Sequence, residues 1–303
     1  MQWLPVIASA ACVALFVSYY FLFQIEHEEF ALDRATELEN KIVFAGSSFA
    51  LILSLLWAWF VGFFLLRHYY SKMSLGGQTL VSVCVVAGIS VGSILVFSSS
   101  DAGGGLAAWA IAQVDGRGRF HVQSLLTITN WMTMVAAVLN IAVCYALAAP
   151  KSTENMDDLS DAITAFKLSL YSASILLVAG IIEIGSFFQW AAAAWYDDQA
   201  ESVRSLSHGE NAGSRIAEGM ILTAGLVFTT SLIVVYAPSA MKLHERLTAL
   251  TAKEAQRNPD TFDVAKWNLI HRVDSSPLSA FGSYLAFALP LLTSFLSKWF
   301  KLG

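Results

Sequence analysis

The chain has 303 residues, of which 56% are hydrophobic and only 14% are charged, and its formal net charge is -5 at pH 7. A soluble domain of this length carries more charge, and an acidic chain lacks the basic surface that binds nucleic acid. The three cysteines lie inside apolar stretches. We therefore expect no disulfide in the loops and no cysteine metal site.

Apolar residues come in blocks long enough to cross a bilayer, which takes about 20 residues of helix. Backbone groups in lipid must be satisfied within the segment, and the blocks do not alternate as barrel strands do, so they are predicted to be helices. The fold class is an all-α polytopic membrane bundle with six spans, or seven if the last helix is inserted. The six predicted spans are residues 3–23, 42–66, 79–98, 124–148, 168–195 and 216–237.

The first block is interpreted as a retained span. It lacks the basic residues that begin a signal peptide, and its apolar run is too long for one. The alternative is a signal peptide cleaved after the small residues at 8–11.

Lys and Arg are more frequent on the side shared by the N-terminus and the tail after residue 237, and the tail supplies the excess. The positive-inside rule then places both in the cytoplasm. The loops are compact and contain no Asn-x-Ser/Thr acceptor, which favours a bacterial inner membrane. In the second outer loop, the segment AWAIA around Trp109 is expected to dip into the interface.

Residues 238–303 are predicted to form a helical tail separate from the bundle of residues 1–237, with helices at 241–256, 262–273 and 278–300. The last helix has two different faces, which favours a helix lying on the membrane or packed in an assembly over a seventh span. Its small stripe is Gly282, Ala286, Pro290, Ser294 and Ser297, and its bulky stripe is Phe281, Leu285, Leu292, Phe295 and Trp299.

Glu183 is the main candidate for function, because it lies near the middle of the fifth predicted span. Ionisable residues at that depth usually face a bundle interior or a water-filled path. Gly180 and Ser186 share its helix face, and Gly180 is a candidate for close helix packing. The alternative interpretation is a protonated carboxyl that hydrogen-bonds another helix as packing glue.

The fourth predicted span carries a polar stripe that includes Asn130 and Asn140. If the fourth and fifth spans touch, these amides and Glu183 are expected to form a cluster near the midplane that binds a substrate or ion. Interhelical hydrogen bonds without transport are the commoner use of such residues.

Gly88 and Gly92 in the third predicted span match the G-x-x-x-G pattern, which lets another helix approach closely. With Ser90 they also match G-x-S-x-G, but that elbow requires a strand–turn–helix. The histidines lie outside the middle of the spans, so a hydrolase base and a haem ligand are both missing. No phosphate-binding loop is present. We therefore predict no catalytic residues, no metal site and no cofactor.

Three functions compete. The leading one is a homo-oligomeric channel or small-solute or ion transporter with its site at Glu183, Asn130, Asn140 and Ser186. The second is a membrane scaffold whose tail docks a protein partner. The third is a lipid-modifying enzyme, for which Asp197, Asp198 and His208 form the only cluster, and a weak one.

Overall fold

The computed structural model describes residues 35–99, 106–114, 122–149, 156–197, 209–257 and 277–300. Every regular element within these ranges is an α-helix, and none is a strand. The first predicted span and the predicted helix at 262–273 lie outside them. The helices are α1 (Ala35–Tyr70), α2 (Leu75–Ser99), α3 (Leu106–Val114), α4 (Val122–Ala148), α5 (Met156–Asp197), α6 (Gly209–Arg257) and α7 (Pro277–Phe300).

Five of the described helices, α1, α2, α4, α5 and α6, are long and apolar enough to cross a membrane. They contain the second to sixth predicted spans, which confirms that these blocks are long apolar helices. Each helix runs beyond its apolar block, because the flanking residues, such as ATELENK at 35–41, include good helix formers.

The predicted break between bundle and tail at residue 238 is not a helix boundary. α6 is continuous from Gly209 to Arg257 with Pro238 inside it. Proline removes one main-chain hydrogen bond, but contacts with α4 hold the helix beyond it. Ser239 Oγ donates to the Cys144 carbonyl oxygen at 3.1 Å, and Arg246 Nη1 donates to the Leu147 carbonyl oxygen at 2.7 Å.

α5 is the central helix and packs against α1, α6, α7 and α3. α4 lies between α1 and α2. Trp59 Nε1 on α1 donates to the Met132 carbonyl oxygen at 3.0 Å, and Trp131 Nε1 on α4 donates to Ser93 Oγ on α2 at 2.9 Å. α2 is peripheral and exposes apolar side chains along most of its length, such as Val86, which is 65% exposed.

Three apolar clusters are stacked along the bundle. We call the end at which α1 and α6 begin the upper end. α3 packs at this end, where Ala110 and Val114 are buried, so the AWAIA segment covers the bundle. The upper cluster includes Phe44, Ala110, Val114, Phe187, Phe188, Trp190 and Ala217. The middle cluster is Leu51, Leu55, Ala58, Ala136, Leu176 and Ala179, and the lower cluster includes Val61, Leu65, Leu147, Leu159, Phe166 and Leu243.

α7 packs its small-residue face against α5 and α6. Ser174 of α5 donates a hydrogen bond to the Ala286 carbonyl oxygen, and Ser294 lies against Gly225 of α6. Ser294 is fully buried, whereas Phe295 on the bulky face is 51% exposed. Both contacts fall within the apolar blocks of α5 and α6, so α7 lies beside the same stretch of the bundle as the predicted spans.

Candidate functional site

Glu183 lies on the face of α5 that packs against α1, and it is only 5% exposed. α1 presents Ser47 and Ser48 to it, because these serines share the buried face with Phe44 and Leu51, about one turn to either side. Ser186 is one turn above Glu183 on the same face of α5. Ser47, Ser48, Glu183 and Ser186 are together called the serine–glutamate site.

Four hydrogen-bond contacts define this site. Ser48 Oγ donates to Glu183 Oε1 at 3.4 Å, a long contact, and the hydroxyl oxygens of Ser47 and Ser186 are 2.5 Å apart. Ser47 Oγ also reaches the Phe44 carbonyl oxygen at 2.9 Å, and Ser186 Oγ reaches the Glu183 carbonyl oxygen at 2.9 Å. The site therefore joins α1 to α5 through oxygen atoms alone.

Apolar layers close the site above and below. Above it, the Phe44 ring packs against the rings of Phe187 and Trp190, with centroids 5.7 Å and 5.4 Å apart. Below it, the middle cluster places Leu51 and Leu176 under the carboxyl group. The site is thus a polar layer between two apolar layers.

Two polar atoms near the upper layer are buried without a hydrogen-bond partner in the described part of the chain. They are Trp190 Nε1 and Gln189 Oε1. Trp190 lies two turns above Glu183 on the same face of α5. Buried polar groups are normally paired, so these two atoms are exceptions among the described residues.

Asn140 belongs to a second polar cluster. Its Oδ1 accepts from Ser169 Oγ on α5 at 2.9 Å and from the Tyr236 hydroxyl on α6 at 3.2 Å. Its Nδ2 donates to the Ala136 carbonyl oxygen at 2.8 Å. Ser169 and Tyr236 also contact each other at 2.9 Å, so the three side chains form a closed triangle that bonds α4, α5 and α6.

The structure does not bring Glu183 and the two asparagines together. Ser169, the partner of Asn140, is roughly 20 Å below Glu183 along α5. Asn130 is exposed. For Asn140 the reason is geometric, because α4 runs antiparallel to α5 and Asn140, near the end of α4, therefore meets the lower half of α5.

The sequence did not single out Ser47, Ser48 or Tyr236. A pair of adjacent serines inside an apolar block was a usable signal, because one of any two neighbours near a packing face is turned inward. Tyr236 gave no such signal, since a tyrosine near the end of a span is ordinarily an interfacial anchor.

The glycines predicted to allow helix packing differ in how close the neighbouring helix lies to them. A Cβ on Gly88 would come 3.0 Å from Val138 Cγ2, and Gly92 lies against Met134, so both glycines face α4. Gly180 faces Phe228 of α6. A Cβ added to Gly180 would lie 3.6 Å from Phe228 Cε2, which is an ordinary contact distance. The tighter approach of α5 to α6 is at Gly185, which the sequence did not single out.

The hydrolase elbow and the lipid-enzyme cluster are not supported by the arrangement of the described residues. Ser90 lies within the continuous helix α2, which is not the strand–turn–helix of a hydrolase elbow. Asp198 and His208 lie outside the described residues. Among the residues that are described, no group of three or more His, Cys, Asp or Glu side chains is placed to hold a metal ion.

The chain matches no protein-family model, and no curated protein or solved structure is similar to it at a significant level.

Proposed function

We propose that this protein is a channel or a small-solute or ion transporter whose translocated species binds at the serine–glutamate site. The observation that supports this is Glu183, a buried carboxyl group between the upper and middle clusters. A charge at the centre of a span costs on the order of 3 kcal/mol on insertion scales, and such residues commonly mark ion paths. No residue of the chain is proposed as catalytic.

In this proposal the described conformation is occluded. The upper cluster separates the site from one side of the membrane, and the middle cluster separates it from the lower polar cluster at Asn140. Transport then requires the two apolar layers to part in turn, since hydrophobic constrictions close a path to water and ions. Asn140, Ser169 and Tyr236 are the polar groups that a solute meets after passing the middle cluster.

We propose a topology with the N-terminus in the cytoplasm of a bacterial cell and the upper end of the bundle outside. α7 is proposed as a seventh span, because it contacts α5 and α6 within their apolar blocks. Ala286 lies beside Ser174, and Ser294 lies beside Gly225, so α7 runs parallel to α5. Its end therefore lies outside, whereas the sequence pattern favoured a tail on the cytoplasmic side and kept a seventh span as the alternative.

The test is ion and proton flux into proteoliposomes, with wild type compared with Glu183→Gln. Flux is expected to fall by roughly tenfold or more, because a hydrogen bond to a charged group contributes about 1.5–3 kcal/mol. Asn130→Ala is the matched control, since Asn130 is polar but lies exposed on α4. Unchanged flux in a folded Glu183→Gln protein, or loss of flux in both variants, contradicts this function.

A second candidate is an assembly subunit in a homo-oligomer, with the tail docking a protein partner. α2 leaves apolar side chains exposed, including Val83, Val86 and Ile94, and a second copy can cover them in place of lipid. This function predicts that deleting residues 278–303 disrupts an assembly seen by native mass spectrometry, whereas Glu183→Gln leaves it intact.

A further inference from the structure

We propose that the serine–glutamate site binds one dehydrated alkali cation of the size of Na⁺, held by the Glu183 carboxylate and the hydroxyl oxygens of Ser47, Ser48 and Ser186. The role of this cation in transport rests on the function proposed above, but its binding does not. Three features of the site support it: its proton count, its charge and its ligand chemistry.

The proton count allows hydroxyl lone pairs of the site to face a cation. Three serine hydroxyls supply three protons, but they take part in four contacts. Either hydroxyl of the Ser47–Ser186 pair can donate to the other across 2.5 Å, and when both instead donate to their main-chain carbonyl oxygens, their lone pairs face each other. Two such acceptors at short range are stabilised by a positive charge placed against both.

The charge of the site matches a single monovalent ion. The predicted spans within the described helices contain no Lys or Arg and only one other acidic residue, Glu218, near the upper end of α6. A buried carboxylate requires a charged partner or a proton. A divalent ion here would leave an excess positive charge between two apolar layers. Burying that unpaired positive charge is unfavourable, as it is for the unpaired carboxylate.

The ligand atoms select a hard cation. All four side chains offer oxygen, and none offers nitrogen or sulfur, which suits hard ions rather than transition metals. The apolar layers above and below exclude bulk water, so the protein oxygens must replace the hydration shell of the ion, as in selective ion sites.

The test is thermal unfolding of the purified full-length protein in detergent, at one pH and one ionic strength, in NaCl, KCl or choline chloride. Saturating NaCl is expected to raise the Tm by roughly 5 °C over choline chloride. Ser186→Ala and Glu183→Gln are expected to lose this shift. Ser169→Ala, which removes a buried hydroxyl from the lower polar cluster, is expected to keep it.

Two results overturn the cation site: equal Tm values in all three salts, or a sodium shift that persists in both site variants. If Glu183→Gln does not fold, the Ser186→Ala result decides. The flux assay separates the two proposals. Sodium binding without flux supports the cation site and contradicts transport, whereas flux without a sodium shift contradicts the cation site and leaves transport of another species.

Discussion

Gly185 lies at a close contact between α5 and α6. An added Cβ at Gly185 would lie 2.7 Å from Ile221 Cδ1, a distance that real Cβ contacts do not reach. A Cβ added to Gly46 on α1, by contrast, meets no described atom within 4 Å. In lipid, where apolar side chains gain nothing by leaving the solvent, such close contacts supply much of the attraction between helices.

Gly185→Ala is therefore expected to lower the free energy of unfolding by about 1–3 kcal/mol through overpacking. Gly46→Ala makes the same chemical change in open space, where higher helix propensity is expected to make it neutral or stabilising by up to about 1 kcal/mol. Reversible unfolding in mixed micelles measures both values.

The Gly185→Ala, Ile221→Val double variant tests the cause. Removing the clashing Cδ1 methyl should recover part of the loss. Equal effects of Gly185→Ala and Gly46→Ala would show that the close approach at Gly185 does not contribute.

Whole helices could be predicted from the sequence where the apolar pattern that indicates them lies within one continuous segment. The apolar lengths of α1, α2, α4, α5 and α6 follow from composition within each block, and the charge of Glu183 stands out in such a block. The partners of Glu183 and Asn140 were not predictable, because they depend on the direction and register in which two distant helices meet. A shift of one turn between α1 and α5 would replace Ser47 and Ser48 by other residues.

The direction of α7 gives a prediction for the end of the chain. In a variant without native cysteines, a membrane-impermeant maleimide is expected to label Gly303→Cys from the same side as Ser205→Cys, which follows α5. Ser152→Cys, between α4 and α5, should label from the opposite side. Right-side-out cells expose one side of the membrane to the maleimide, and inverted vesicles expose the other side.

Labelling of Gly303→Cys together with Ser152→Cys would contradict a seventh span and restore the tail to the cytoplasmic side. The sequence pattern favoured that outcome because the small and bulky stripes of α7 resemble those of a surface helix. Ala286, Pro290 and Ser294 of the small stripe are instead buried against α5 and α6, where serine and glycine allow close contact.

Across the whole molecule, polar and apolar layers alternate along the bundle axis. The serine–glutamate site lies above the middle cluster, and the triangle of Asn140, Ser169 and Tyr236 lies below it. Leu55 is fully buried in the intervening layer. The middle cluster thus separates the two polar levels.

Leu55→Ser is expected to raise basal ion leak through proteoliposomes by roughly tenfold, because a hydroxyl lowers the cost of wetting this layer by on the order of 1–3 kcal/mol. Leu226→Ser is the matched control, since Leu226 is 58% exposed on α6. Leak that is unchanged in Leu55→Ser, or raised equally in both variants, would contradict a barrier at the middle cluster.

Because α6 is one continuous helix, its length also determines how far the protein extends from the membrane. Its 49 residues measure about 73 Å end to end, whereas a bilayer with its headgroups is about 40–45 Å thick. The surplus length emerges largely beyond Pro238, where Leu243 packs against the beginning of α5. The molecule therefore extends beyond the membrane on its lower side, and height measurements can detect this extension.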